Sequence, residues 1–372
     1  MKILIPTLTQ DIHAKVVARA LRQDGHEVTL WYGSDLPSQQ TVSLEIDGGT
    51  STLDLAGREL SAQGPFDVVW LRRPADAVLP EDMHPGDREF AEREWYRFAR
   101  ALWKTVGRDA FWVNPLEGAA RATSKTRQLL DAAAVGLSTP RTLCSNDPER
   151  IRAFIRESPA QTIYKPFCTG QWRTEEGSAF LFTAVVTDAD LPPDDVLRLC
   201  PGIFQPRVEK SHELRITAMG DRLFAVRLES QSLDLARVDW RAGTRNIDMK
   251  VVELDPDVEK RCRALMRRLG LVFGCLDFIV TPSGEHVFLE VNEMGQFLWL
   301  EELLPELPLL DAFCAMLTQR RPDFEWDPAT AARSFSSLHD PEREAKADAQ
   351  HTRHPQRYVM DDRTRVAPSP SA

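Results

Sequence analysis

Hydrophobic and polar positions along the chain follow two periods, and the changes between them predict its elements. Residues 2–6 form a short apolar run, Ile12–Gln23 has helical apolar spacing, and Glu27–Tyr32 alternates as a strand does. This strand–helix–strand opening predicts a small α/β layer with a parallel strand pair. An apolar run at 67–71 and an amphipathic pattern at 88–106 add a strand and a long helix to the same region.

Beyond residue 116 the pattern alternates between helices and hairpins. We predict helices over residues 124–135 and Pro256–Leu269, the second ending at Gly270, which is a typical C-terminal cap. Two strands around Gly220-Asp221 predict a hairpin. From residue 323 the apolar period is lost and Asp, Arg, Ala, Pro and Ser dominate, which predicts a mostly disordered C-terminal tail.

Three regions follow from these changes in pattern. We place an N-terminal α/β domain at 1–116, a second region at 117–322 and the tail at 323–372. The predicted fold class is therefore α/β, in the broad α+β sense.

Composition narrows the class of protein. The 372 residues are 42% hydrophobic and 27% charged, as in ordinary globular proteins, and the net charge of -10 argues against a nucleic-acid binder. No apolar run approaches the length of a membrane span, so we expect no membrane partner and a cytoplasmic protein. The six cysteines have no metal-binding spacing, and we expect reduced thiols that fill the core.

The richest stretch for chemistry is the predicted hairpin at 275–291. If Ser283-Gly284 were a two-residue loop, Asp277 would pair with Glu290, and Asn292 would point to the same face. Two carboxylates and an amide oxygen suit Mg²⁺. Acidic residues in strands also occur at sheet edges, where they prevent pairing with another chain. Here they lie within apolar runs, where an unpaired carboxylate is costly, and this favours a metal site.

Two lysines have contexts that suit phosphate. Lys165 ends an apolar strand, and a buried lysine needs a partner such as a phosphate. Lys125 begins a helix, where a solvated surface residue is the plain alternative. The polar loop 169–178 has backbone N–H groups suited to phosphates, although a simple connecting loop is equally consistent with it.

A second group of polar residues follows on the predicted strands after residue 204. The segment from Gln205 to Val208 has backbone groups able to meet a purine, and Glu213 and Arg215 share one face of a strand. They suit a ribose and a phosphate, or a surface ion pair. We expect Arg227 and the run from Asp239 to Arg241 to extend that face.

These residues occur in an order that resembles the ATP-grasp superfamily: helix lysine, strand lysine, loop, hinge and metal hairpin. Within that superfamily the chain resembles the maturases of graspetides, the microviridin-type peptide macrocyclases. The stretches that carry the likeness are WLRRP, NPLEGAARATSKTRQLLDAAAVGLSTPRTL, YKPF, FQPRVEKSHELRITAMGDRLFAVRLESQS, VDWR and LDFIVTPSGEHVFLEVNEMGQFLWLE. The usual NPNGQ form is Asn292-Glu293-Met294-Gly295-Gln296 here.

The resemblance implies an ATP-grasp fold with a central subdomain at 117–204 and a C-terminal subdomain at 205–322, behind a pre-ATP-grasp domain at 1–116. It implies ATP and Mg²⁺ as cofactors and assigns roles to twelve residues. The nucleotide-binding set is Lys125, Lys165, Gln205, Val208 and Glu213; the metal ligands are Asp277, Glu290 and Asn292; the catalytic set is Arg215, Arg227, Asp239 and Arg241.

The implied chemistry is activation of a side-chain carboxylate as an acyl phosphate, followed by attack of a hydroxyl or amine. The implied partners are a ribosomal precursor peptide, with a leader and an acidic, Thr-rich core, and a second copy of the chain in a homodimer. Two other functions fit the same residues: a ligase that adds an amino acid to a peptide or protein carboxylate, and a nucleotide-binding regulatory protein without ligase activity.

Overall fold

The computed structural model describes residues 1–57, 61–80, 83–168, 171–174, 177–180, 183–241 and 246–351. Its strands are β1 Lys2–Thr7, β2 Glu27–Tyr32, β3 Gln40–Asp47, β4 Thr50–Gly57, β5 Ser61–Gln63, β6 Val68–Trp70, β7 Phe111–Val113, β8 Leu143–Ser145, β9 Thr162–Lys165, β10 Gln171–Thr174, β11 Gly177–Phe180, β12 Ala184–Val186, β13 Gly202–Pro206, β14 His212–Met219, β15 Arg222–Leu228, β16 Met249–Val252, β17 Phe273–Val280 and β18 His286–Asn292. Its helices are α1 Ile12–Gln23, α2 Pro85–Thr105, α3 Leu116–Ala122, α4 Lys125–Ala134, α5 Pro148–Glu157, α6 Asp194–Leu197, α7 Pro256–Leu269, α8 Leu298–Leu303, α9 Leu309–Gln319, α10 Phe335–Leu338 and α11 Pro341–His351.

The chain divides into two compact units, one of residues Met1–Leu116 with Gln296–Ala372 and one of Glu117–Gly295. Residues 296–322, which the sequence pattern places with the region before them, therefore cluster with the N-terminal part of the chain. The division of 117–322 into two subdomains stays a prediction.

The first unit is built on a parallel sheet in the order β2-β1-β6-β7, beside an antiparallel sheet of β3, β4 and β5. The predicted opening is confirmed, since α1 and β2 have the predicted bounds. Asp11 caps α1 by accepting a hydrogen bond from the Ala14 amide.

The second unit contains a five-stranded antiparallel sheet in the order β16-β15-β14-β17-β18. One face of it packs on α4 and α7 through a core that includes Leu214, Ile216 and Phe278. Because side chains alternate along a strand, the residues between these point to the opposite face. A four-stranded sheet in the order β12-β9-β13-β8 and the hairpin β10–β11 complete the unit.

Two features of the structure correct the sequence predictions. The first is the tail, whose described part is folded through His351. Phe335 and Leu338 are buried, and Arg333 donates hydrogen bonds to Asp311 at 2.7 Å and to Asp24 at 2.9 Å. A few isolated apolar residues and ion pairs anchor this segment without producing a period in the sequence. Residues 352–372 lie outside the described part of the chain.

The second correction concerns the thiols. All six cysteines are free, and Cys262, Cys275 and Cys314 are buried as expected. Cys144, Cys168 and Cys200 are exposed, so they do not fill the core.

Among the described helices, none has the length and apolar character that a membrane span needs.

Candidate functional site

A cleft of about 780 Å³, partly open to solvent, lies within the second unit. Strands β9, β13, β14, β17 and β18 and the segment after residue 237 supply its walls. Nine of the twelve predicted site residues line it: Lys125, Lys165, Gln205, Val208, Glu213, Asp239, Arg241, Asp277 and Glu290.

The hairpin β17–β18 brings Asp277 and Glu290 together as predicted, but by a different turn. The loop runs over residues 281–285, because Val280 pairs with His286 and the Thr281 amide donates to the Glu285 carbonyl. A β-bulge between the Asp277 and Phe278 pairs then adds one residue to β18 and places Glu290 opposite Asp277. The two-residue loop was wrong, and the bulge compensates for it.

The bulge also turns two consecutive side chains toward the cleft. Leu289 and Glu290 both line it, whereas a regular strand would send them to opposite faces. Sequence reasoning missed Leu289 because a bulge leaves no period in the sequence.

Asp277 is held by neighbours on both sides. Arg215 Nη1 donates to its two carboxylate oxygens at 2.9 and 2.8 Å, and Asn292 Nδ2 donates to Oδ2 at 3.3 Å. Burial raises the pKa of Asp277 to about 6, although Arg215 opposes this. Asn292 thus lies on the predicted face, in contact with Asp277.

Glu290 lies among cations. Lys125 Nζ is 3.6 Å from Glu290 Oε2 and donates to the Pro166 carbonyl at 3.3 Å. Burial disfavours the ionised form, but Lys125, Arg241 and Lys165 together hold the pKa of Glu290 below its usual value.

Lys165 has no hydrogen bond or ion pair to the residues that the structure describes, and it lines the cleft. Desolvation lowers its pKa, while Glu290 opposes this. A desolvated ammonium aimed into a cleft is a site for an anion.

Gln128 joins the helix of Lys125 to the strand of Glu290. Its side-chain amide accepts a hydrogen bond from the Val291 amide at 2.8 Å and donates to the Val291 carbonyl at 2.8 Å. Gln128 is buried, so it holds α4 against β18 at the point between Glu290 and Asn292. Nothing in its sequence context distinguishes it from a surface glutamine of α4.

Glu213 and Arg215 are buried and have different partners, so they are not the surface ion pair considered above. Glu213 Oε1 accepts from Lys210 Nζ at 2.6 Å and from Ser230 Oγ at 2.8 Å. Desolvation raises the pKa of Glu213, and Lys210 opposes it. Sequence reasoning missed Lys210, because it lies on the connection before β14, outside any strand or helix whose period could place it.

The segment after residue 237 presents Asp239, Trp240 and Arg241 to the cleft. Arg241 grips Asp239 with two side-chain hydrogen bonds, Nε to Oδ1 at 2.8 Å and Nη2 to Oδ2 at 2.6 Å. Burial opposes ionisation of Asp239, but Arg241 holds its pKa at about 2. Arg215 Cζ lies 5.9 Å from the centre of the Trp240 ring, within cation–π range.

Arg227 corrects one sequence expectation. Arg215 is opposite Val226, and Arg227 is opposite Leu214, so Arg227 lies on the other face of the sheet. There its Nε is 2.7 Å from Glu229 Oε1. The expectation that Arg227 extends the Arg215 face was wrong, because a shift of one residue reverses the face.

The described residues contain no group of three or more His, Cys, Asp or Glu side chains that could hold a metal ion. The predicted set of two carboxylates and an amide oxygen is a different donor set. Residues 169–170 and 175–176 of the predicted phosphate loop lie outside the described residues, and its other residues include β10 and part of β11.

Solved structures share this architecture. A RiPP-associated ATP-grasp ligase from Chryseobacterium gregarium, in complex with ADP and a leader and core peptide, is 28% identical with a TM-score of 0.79, over 88% of this chain and 99% of that one. This chain has the ATP-grasp fold. The macrocyclase MdnC from Microcystis aeruginosa, bound with precursor peptide MdnA, is 28% identical with a TM-score of 0.76, over 85% of this chain and 99% of that one.

A further macrocyclase of Microcystis aeruginosa, MdnB, is 29% identical to this chain with a TM-score of 0.72, over 85% of this chain and 98% of that one. No family model matches the sequence, and no curated protein does. The predicted fold and the resemblance to ATP-grasp maturases of ribosomal peptides are confirmed.

Proposed function

We propose that this chain uses ATP to activate side-chain carboxylates of a ribosomal precursor peptide and joins them to hydroxyls or amines as macrocyclic esters or amides. The observation that supports this is one cleft with two lysines, a pair of opposed carboxylates and an Asp–Arg clamp, in a chain similar to peptide macrocyclases. Nothing in the cleft or the similar structures favours the amino-acid ligase or the regulatory protein.

The nucleotide lies between β9, β13 and β17 in this proposal. Gln205 and Val208 meet the base at the strand end, where Ile163 and Ile279 provide an apolar wall. Glu213 accepts from the ribose through the oxygen that Lys210 and Ser230 do not use. Lys125 and Lys165 neutralise phosphate oxygens.

The residues around Asp277 fit Mg²⁺. The two carboxylates are opposite each other on neighbouring strands, and the burial that disfavours ionised Asp277 is relieved by a cation. Asp277, Glu290 and Asn292 would hold the ion, with the Asn292 amide turned so that its oxygen is the ligand. When bound, Mg²⁺ supplies charge neutralisation for the transferring phosphoryl group.

The reaction then has two steps. A carboxylate oxygen of the peptide attacks the γ-phosphorus of ATP, the bond to ADP breaks, and an acyl phosphate forms. A hydroxyl or amine of the same peptide attacks the acyl carbon, and phosphate leaves. Arg241, oriented by Asp239, binds the carboxylate that reacts, and Arg215 offers a second cation to the developing charge.

We also propose that the enzyme works in the cytoplasm, where ATP and ribosomal peptides are both available, and as a homodimer. Sedimentation at several concentrations tests the second statement, since a mass of one chain throughout would contradict it. A precursor with a leader and an acidic, Thr-rich core suits the arginines of the cleft.

The test is mass spectrometry of a candidate precursor peptide after incubation with the enzyme, ATP and Mg²⁺. Each ring formed removes one water from the peptide, and each turnover releases one ADP and one phosphate. Addition of residue masses instead would overturn the macrocyclase proposal in favour of the amino-acid ligase.

A Glu290→Gln variant is the control for the metal assignment. It keeps the size of the side chain and removes one charged ligand, so ring formation should fall at least about a hundredfold. An unchanged rate would contradict the assignment of Glu290, without affecting the conclusion about the product.

A further inference from the structure

Lys210 lies on the connection between β13 and β14, and its side chain is only 6% exposed. It lines the same cleft as the proposed nucleotide-binding residues. A lysine so buried needs partners for its ammonium group. Lys210 has two, the Glu213 carboxylate at 2.6 Å and the Val238 carbonyl at 3.2 Å.

The first partner, Glu213, is one of the proposed nucleotide-binding residues. Lys210 and the buried Ser230 hydroxyl both donate to the same oxygen of Glu213. The other oxygen, Oε2, has no hydrogen bond to the described residues, and Glu213 lines the cleft. The pair therefore fixes the carboxylate with one oxygen available to a hydroxyl donor.

The second partner, Val238, belongs to the segment that we propose binds the reacting carboxylate of the peptide. Val238 directly precedes Asp239, Trp240 and Arg241, which line the cleft. Val238 is in a turn outside the strands. Within the described residues, the hydrogen bond from Lys210 is the one that anchors its carbonyl.

We propose that Lys210 is a positioning residue that couples the nucleotide-binding residue Glu213 to the segment carrying Asp239 and Arg241. One ammonium group bonds to both Glu213 and the Val238 carbonyl, so a nucleotide that fixes Glu213 also fixes Lys210. Through the Val238 carbonyl, Lys210 then fixes the segment that follows Val238. Coupling of this kind is reciprocal: a carboxylate-bearing peptide held by Arg241 strengthens nucleotide binding by the same factor. This inference rests on the proposed function, because it assumes that Glu213 binds ATP and that Arg241 binds a peptide.

The test is hydrogen–deuterium exchange of the backbone amides at 238–241, with and without saturating ADP and Mg²⁺. In the wild-type protein ADP should slow exchange there at least about fivefold, the lower end of typical coupling. In Lys210→Met, which keeps the aliphatic chain and removes the ammonium group, ADP at a concentration raised to saturation should leave exchange unchanged. Lys210→Gln, which keeps one donor, is the second variant if the first does not fold.

Lys250→Met is the matched control. Lys250 is on β16 of the same unit, is 59% exposed, and is 3.7 Å from Glu229. This variant should retain the full effect of ADP on 238–241. Retention of that effect in Lys210→Met or Lys210→Gln would overturn the inference, and so would its absence from the wild-type protein.

The result also separates this inference from the proposed function. Failure of the wild-type protein to bind ADP, measured by calorimetry, would overturn both. ADP binding and ring formation with no change of exchange at 238–241 would overturn the role of Lys210 alone. Loss of the ADP effect in both lysine variants, with retention in the control, supports the coupling.

Discussion

At the scale of the residue, the cleft is organised by which charges have partners and which do not. Asp277, Glu213 and Asp239 each have a cation within 3 Å among their own chain's residues, whereas Lys165 has no partner among the described residues. An unpartnered ammonium in a desolvated place is costly until an anion arrives.

Lys165→Ala should therefore weaken ATP binding. One charged hydrogen bond to a phosphate is worth about 2 kcal/mol, which is about a thirtyfold rise in Kd. Calorimetry with a non-hydrolysable ATP analogue measures it, and Lys250→Ala is the control. An unchanged Kd would remove Lys165 from the phosphate site.

Asp239→Asn should affect the peptide more than the nucleotide. It keeps the shape of the side chain but weakens its grip on Arg241, so we expect kcat/KM for the peptide to fall about tenfold to a hundredfold. The Kd of ADP should change less than about twofold. Asp234→Asn is matched to it, since Asp234 is exposed and pairs with Arg237 in the same segment.

At the scale of the element, the sequence predicted the strands and helices that carry the site but not all of their neighbours. The pairing of Asp277 with Glu290 was predicted from a two-residue loop that the structure does not have, and it is present because the bulge adds one residue to β18. The period of two could also have found Ile163 and Ile279, each two residues from a predicted site residue. Lys210 could not be found, because it lies on a connection outside the strands, and Gln128 could not, because only tertiary contacts join it to β18.

Leu289 lines the cleft together with Ile163 and Ile279, so we add it to the apolar wall and derive a prediction from it. Leu289→Ala removes part of the surface beside the nucleotide and leaves the Asp277–Glu290 pair in place. ADP affinity should fall by about 1 kcal/mol, or about fivefold. Titration of ADP into this variant and into Leu199→Ala, whose side chain is 81% exposed, measures the difference. Equal affinities would place the base elsewhere.

Asp311 anchors the folded part of the C-terminal segment. It accepts hydrogen bonds from Trp326, Arg333 and the Ala332 amide, and these hold its pKa below the usual value against the effect of burial. A lowered pKa means that this stabilisation is complete above about pH 4, where the unfolded chain is ionised, and is lost as pH falls through the lower value of the folded state.

Asp311→Asn should consequently lower the free energy of unfolding of this region by about 2–4 kcal/mol at pH 7, with a smaller difference below about pH 4. Urea unfolding of both proteins at several pH values measures it. A difference that grew on acidification would contradict the ion-pair explanation. Asp323→Asn is a control, because Asp323 is exposed and pairs only with neighbouring Arg321 among the described residues.

At the scale of the whole molecule, all the proposed nucleotide and metal ligands fall within Glu117–Gly295, one of the two compact units. A ligand stabilises the part of a protein whose folded state it binds. We expect ADP and Mg²⁺ to slow global hydrogen exchange in this unit, with a smaller effect in the unit of Met1–Leu116 and the C-terminal residues. Exchange measured by mass spectrometry along the chain tests this, and equal protection of both units would contradict it.

The hydrogen bonds between Gln128 and Val291 have a further consequence. β18 is the last strand of its sheet, and such a strand offers a row of free backbone groups to any other chain. The Gln128 side-chain amide hydrogen-bonds to the N–H and the carbonyl of Val291, as the backbone of a neighbouring strand would. The Ser138 carbonyl accepts a hydrogen bond from the Phe288 amide on the same edge. The strand that presents Glu290 is thereby closed to edge-to-edge aggregation, which an open ligand-bearing hairpin would otherwise invite.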